Sequence, residues 1–185
     1  PLLAPVAQYG FLGVELFFVI SGFVIMRSAS GRTWETFATA RFLRLYPAHV
    51  ICMTATALVV AMLGSAAQVP SAAQWLANLS MIAPAFGQPF MDGSYWSIVV
   101  EIAFYGWIAL LLATGLLERR LLALVAAWLA LATLNEYVLH IKVLRAALCT
   151  EFAPFFAGGI LIQHLMTAAR RHRIAWGLLA VAVAL

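Results

Sequence analysis

The chain alternates between long apolar stretches and short polar connections. Five apolar stretches run from about Gly10 to Met26, Ala48 to Ala67, Ser94 to Leu116, Leu121 to Leu139 and Leu148 to Thr167. A sixth begins near Ile174. None shows the period-2 alternation of a barrel strand, whereas a helix rising about 1.5 Å per residue crosses a bilayer in roughly 20 residues. A helix also satisfies its own backbone polar groups, which a hydrocarbon surrounding demands. The pattern predicts an all-α, polytopic transmembrane helical bundle, with five full spans and an incomplete sixth. Between the second and third spans, Ser71 to Met81 is apolar but too short to cross, with Trp75 and Leu79 at helical spacing. Pro84, Gly87 and Pro89 break it. A half-helix or interfacial helix on the outer side is expected there.

Composition makes the membrane reading firm. The 185 residues are 65% hydrophobic and 10% charged, where a soluble domain carries about 25% charged residues. Such a chain has too few charges to coat a soluble core. The basic residues are also sorted by side. Arg27, Arg32, Arg41 and Arg44 fall in the first connection, Arg119 and Arg120 in the third, and Arg170, Arg171 and Arg173 in the fifth. The second connection, Gln68 to Gly93, has no Lys or Arg, and the fourth has Lys142 and Arg145. By the positive-inside rule the arginine-rich side is cytoplasmic.

Polar groups inside the apolar stretches carry the candidate chemistry, because a charge at the bilayer centre costs at least about 2.5–3.5 kcal/mol. Glu15 lies in the first span, Glu101 in the third, and Glu151 near the start of the fifth; Glu136 can reach an interface. Ser97, Glu101 and Tyr105 are spaced i, i+4, i+8 and form one polar stripe on a helix, flanked by Trp96 and Phe104. The stripe reads either as a site lining or as a hydrogen-bond network between helices. Ser21 and Gly22 form a small pair that permits close helix approach or a kink. Arg41 and Arg44, three residues apart, are expected on one helix face just ahead of Pro47, and Pro47 is expected in the first turn of the next span. Two forked guanidinium groups suit a polyphosphate, or alternatively the lipid headgroups. His49 reads as a capping or packing group, or as a proton carrier. Cys52 and Cys149 form no CxxC, and nothing in the sequence points to a metal site. Walker, GxSxG and HExxH motifs are absent.

The ends suggest an excerpt. Residue 1 is Pro1, with no initiator methionine, and the last apolar run reaches Leu185 after about half the length of a span. Pro1 to Tyr9 has neither a basic n-region nor an apolar h-region, so it reads as a loop after a preceding helix. Residues 1–185 are taken as one transmembrane domain continuing past both ends.

The order of these features resembles acyltransferase family 3. The residues that carry the resemblance are the Gly-Val-acid-Leu-Phe-Phe-Val-Ile-Ser-Gly-Phe run at Gly13 to Phe23, Arg-x-x-Arg-x-x-Pro at Arg41 to Pro47, and Trp-Ser-x-x-x-Glu-x-x-Phe-Tyr at Trp96 to Tyr105. Pro154-Phe-Phe-Ala-Gly-Gly-Ile resembles the family's later aromatic-glycine span. The resemblance implies a membrane-embedded O-acyltransferase of the bacterial inner membrane. It would move an acyl group, acetyl above all, from cytosolic acyl-coenzyme A to a hydroxyl of a surface polysaccharide, lipid-linked glycan or similar acceptor. Acyl-coenzyme A is then a donor substrate; no permanently bound cofactor, no metal and no nucleic acid are expected, and the partners are lipids and the glycan. Arg41 and Arg44 would grip the donor's phosphates, Glu101 and Glu15 would serve catalysis, and Trp96, Ser97 and Tyr105 would line the site. The family's histidine precedes the Gly13 motif on a helix absent from this chain, and none of its histidines matches that position. A secondary transporter or flippase for a glycan or anionic solute is the alternative that intramembrane carboxylates also fit.

Overall fold

The computed structural model describes residues 12–64, 69–167 and 173–185. The expected loop over Pro1 to Tyr9, the span boundaries at Gly10 and Ala67, and Arg170, Arg171 and His172 lie outside the described residues. Among those described there is helix and no strand. Helices α1 (Leu12–Ala29) and α2 (Trp34–Leu63) are followed by the short α3 (Ala72–Asn78) and 3-10 turns at Ala83–Phe86 and Gly93–Tyr95. Next come α4 (Trp96–Ala113), α5 (Leu116–Leu134) with a π turn at Asn135–Leu139, α6 (Lys142–Leu148), α7 (Ala153–Thr167) and α8 (Arg173–Ala184).

Among the described residues, four helical segments are long and apolar enough to cross a membrane: Leu12–Ala29, Trp34–Leu63, Gly93–Ala113 and Leu116–Leu139. A fifth results if α6 and α7, bent by 57° at their junction, are one broken span. The all-α transmembrane architecture agrees with the apolar pattern. Two boundaries differ from it. Pro47 lies inside α2, which runs unbroken from Trp34, where the sequence predicted a new helix starting near Ala48. Membrane helices tolerate a proline because neighbouring groups can take up the carbonyl it frees, and no glycine interrupts Trp34 to Leu63. Likewise Arg119 and Arg120 belong to the start of α5 rather than to a loop. Gly115, at φ 66°, turns the chain so tightly after Thr114 that α5 begins at Leu116, with a local kink at Arg120.

The chain divides into two compact units, Pro1–Phe37 with Ala103–Leu185, and Ala38–Ile102. In the first, α1 and α7 cross at glycines. A Cβ on Gly22 would overlap the Phe156 carbonyl oxygen, and one on Gly159 would overlap the Val19 carbonyl oxygen and the Phe23 nitrogen. Only the missing side chains let the two backbones approach this closely, as the small Ser21–Gly22 pair suggested. Aromatic rings fill the space around the crossing: Phe18 meets Phe152 and Phe156 at 4.6 and 4.9 Å, and Phe156 stacks on Phe104 at 4.1 Å.

The bend between α6 and α7 is capped from outside. Cys149 sits in the left-handed region at φ 49°. The carbonyls just before it accept indole hydrogen bonds, Ala147 from Trp107 at 2.6 Å and Leu148 from Trp128 at 2.8 Å. Nearby, Arg145 pairs with Glu151 at 3.0 Å and with Glu136 at 3.5 Å, while Asn135 and Glu136 both bond the Thr150 hydroxyl. Glu151 is thus a member of a charged cluster, which leaves Glu101 and Glu15 as the intramembrane carboxylates of interest.

Candidate functional site

The second unit is built around α2, and α2 buries a single stripe. Its buried residues are Phe37, Arg41, His49 and Met53, which with the half-buried Leu45 make an i, i+4 series. Two of the five inward positions are therefore strongly polar. Arg41 is 9% exposed and His49 4%. Arg44, by contrast, is exposed. Spacing of three still leaves the two arginines neighbours on the helix surface, about 60° apart around it, and they differ in burial. Arg41 is buried and Arg44 is exposed.

Helix α4 supplies the opposing groups. Its register against α2 follows from two ring contacts, His49 with Tyr95 at 5.0 Å and Phe37 with Tyr105 at 6.3 Å. Rising numbers on one helix meet falling numbers on the other, so the helices run antiparallel. Glu101 lies three-fifths of the way from Tyr95 to Tyr105, and Arg41 two-thirds of the way from His49 to Phe37. The register therefore brings the carboxylate and the guanidinium to one level. Glu101 is 8% exposed, so both ionic groups of this level are buried, where opposite charges offset each other's desolvation.

The remaining stripe residues are less inward. Ser97 is half-buried and its hydroxyl donates to the Ser94 carbonyl at 2.9 Å. Tyr105 is half-buried against Phe37, and Trp96 is exposed. Glu15 belongs to the other unit and sits half-buried in the first turn of α1, where the helix dipole favours an anion.

Sequence reasoning missed the polar hub beside His49. Ser71 caps α3 by accepting from the Gln74 nitrogen, and the helix ends at Asn78, which is fully enclosed. The Asn78 side chain donates to the Gln74 and Pro89 carbonyls at 2.8 and 3.0 Å and accepts from the Met91 nitrogen at 2.9 Å. Its own carbonyl meets His49 Nε2 at 2.8 Å. The Trp75 indole adds a bond to the Thr54 hydroxyl at 3.3 Å. Asn78 is thereby held level with His49, about 21 Å below the end of α2 at Leu63 by helical rise. The segment after α2 thus doubles back as a half-helix along its flank. The signal was present in Asn78, a polar residue ending an apolar run, but its partner lies 29 residues away. At the entrance to α4, Asp92 accepts from both the nitrogen and the hydroxyl of Ser94. These bonds, the hydroxyl's first, hold its carboxyl below the usual range.

A family model for an acyltransferase domain, acyltransferase family 3, matches residues 3–185. No curated protein and no solved structure matches the chain. The match embraces nearly every residue, including all of the helices that present Arg41, His49 and Glu101, and it agrees with the apolar helices and the ordered motifs. The chain belongs to acyltransferase family 3, and it is an integral-membrane acyltransferase.

Proposed function

We propose that this acyltransferase takes an acyl group, acetyl above all, from cytosolic acyl-coenzyme A. It delivers the group to a hydroxyl of a cell-surface polysaccharide, lipid-linked glycan or related acceptor in the bacterial inner membrane. The observation that carries the donor is the pair of guanidinium groups in the first half of α2, Arg44 exposed and Arg41 on the buried stripe. A pyrophosphate entering from the arginine-rich, cytoplasmic side would meet the exposed Arg44 and the buried Arg41 within one turn of each other, each able to form charge-assisted, forked hydrogen bonds. Glu101, at the level of Arg41, holds that guanidinium's orientation and charge balance as the donor arrives. Ser97, Tyr105 and Trp96 line the same helix, and Glu15 stands in the other unit as a further candidate acid or base.

In the reaction, a base removes the proton of the acceptor hydroxyl as its oxygen attacks the thioester carbonyl. The carbon–sulfur bond then breaks, and the coenzyme A sulfur leaves and takes up a proton. The acceptor is proposed from the family resemblance together with the membrane setting. Acyl groups can be traced from isotopically labelled acyl-coenzyme A onto envelope glycans, in cells with and without the full-length gene. Label that enters glycans only when the gene is present supports the reading. Proton-driven solute uptake into vesicles without any acyl transfer would replace it with the transport alternative.

A further inference from the structure

His49 makes one hydrogen bond and has a second ring nitrogen with none. A carbonyl oxygen only accepts, so Nε2, at 2.8 Å from the Asn78 carbonyl, is the donor. In the uncharged ring Nδ1 then carries the lone pair. Nδ1 is buried and meets no hydrogen-bond donor among the described residues, in a side chain only 4% exposed. Leaving such a group unpaired costs about 1–3 kcal/mol, and the site has been built around it. Asn78, itself fixed by three side-chain hydrogen bonds, locks the tautomer, and the Tyr95 ring 5.0 Å away restricts the imidazole's orientation. No three metal-ligating side chains gather among the described residues, and a single imidazole is a poor cation site. The lone pair calls for an uncharged N–H or O–H.

The position of the ring selects among such donors. His49 and Arg41 share the buried stripe of α2, eight residues and therefore about 12 Å apart along the helix. A substrate whose phosphates lie at Arg41 and Arg44 would run its arm along that stripe, and the pantetheine arm of acyl-coenzyme A carries two amide N–H groups within this reach. We propose that His49 Nδ1 accepts a hydrogen bond from a pantetheine amide of the acyl donor, making His49 a binding residue that measures the arm beyond the phosphate clamp. This rests on the acyl-coenzyme A reading above.

The test compares two ligands with the same phosphates on the full-length protein in nanodiscs. One is coenzyme A, and the other is adenosine 3′-phosphate 5′-diphosphate, which lacks the arm. His49→Phe removes both nitrogens but keeps the ring volume, while His49→Asn returns an amide near the Nδ1 position. The expected result is a roughly tenfold loss of coenzyme A affinity in His49→Phe. Partial recovery is expected in His49→Asn, and unchanged affinity for the armless ligand in both. Nitrogen NMR of histidine-labelled protein, assigned through His49→Asn, should show the Nδ1 resonance moving with coenzyme A and staying still with the armless ligand. If both ligands bind the unaltered protein and Nδ1 responds to neither, or if His49→Phe weakens both equally, the assignment to His49 is overturned while the donor reading stands. If neither ligand binds the unaltered protein, the donor reading itself falls and takes this assignment with it.

Discussion

Each of the two units has its own means of holding its helices together. Where α1 crosses α7, backbones touch through Gly22 and Gly159, and phenyl rings fill the flanks. Around α2 and the half-helix α3, packing is looser and the geometry depends on hydrogen bonds converging on one asparagine. In a lipid surrounding, helices gain little from hydrophobic burial against each other, and close packing or polar contacts must take over. This chain uses the first where it needs rigidity. It uses the second where it keeps buried Arg41, His49 and Glu101 in place, because a hydrogen-bonded shell can orient polar groups that a purely apolar interface would expel.

The contrast can be broken from either side. Adding volume should injure the first unit most. Gly159→Val would force a branched side chain into the Val19 and Phe23 backbones, and a loss of about 3 kcal/mol or more is expected in reversible unfolding in mixed micelles. Its neighbour is the control: Gly158 has open space at its Cβ position, so Gly158→Ala should be neutral or stabilising by up to about 1 kcal/mol. Equal damage from both would mean that the crossing is not where α1 and α7 touch.

Removing a polar group should injure the second unit most. Asn78→Ala leaves the Pro89 carbonyl and the Met91 nitrogen without the side chain they bond. About 2 kcal/mol of stability should be lost, together with protection of the 89–91 amides in hydrogen exchange. Arg41→Ala should weaken acyl-coenzyme A binding roughly 10- to 100-fold, more than Arg44→Ala, because a charge-assisted bond at a buried position is worth more than one at an exposed position. Isothermal titration of the full-length protein checks the order; unchanged affinity in both variants removes the clamp.

The smallest effect concerns pH. Asp92 has a lowered pKa because it accepts twice from Ser94. Its contribution to stability is therefore present above its unfolded-state value and is lost as pH falls through the folded-state one. Asp92→Asn should flatten the acid limb of the unfolding profile slightly and change little at neutral pH, since the group is exposed.

The membrane spans were legible in the sequence because hydrocarbon imposes one simple requirement, length of apolar run, that no tertiary contact overrides. The Glu101 stripe was legible for the same reason: helical spacing alone sets which residues share a face. What escaped was whatever depends on a distant partner. Pro47 looked like a helix start because proline chemistry is local, whereas its place within α2 depends on surroundings that tolerate the break. Glu151 looked like an isolated charge because Arg145, which neutralises it, precedes it across the bend at Cys149. Arg41 and Arg44 looked alike because spacing of three is close to a turn, and only the burial of every fourth residue of α2 separates them. His49 passed as an ordinary packing residue, since nothing near it in the sequence announces Asn78.

The elbow between α6 and α7 has a mechanical consequence. A span that is interrupted usually frees main-chain oxygens, and those act as a standing invitation to straighten or to swivel. Here the indoles of Trp107 and Trp128 already occupy the two oxygens ahead of Cys149, so straightening would forfeit two bonds. The corner therefore behaves as a welded bracket, and any movement that admits substrate must be sought in other parts of the molecule.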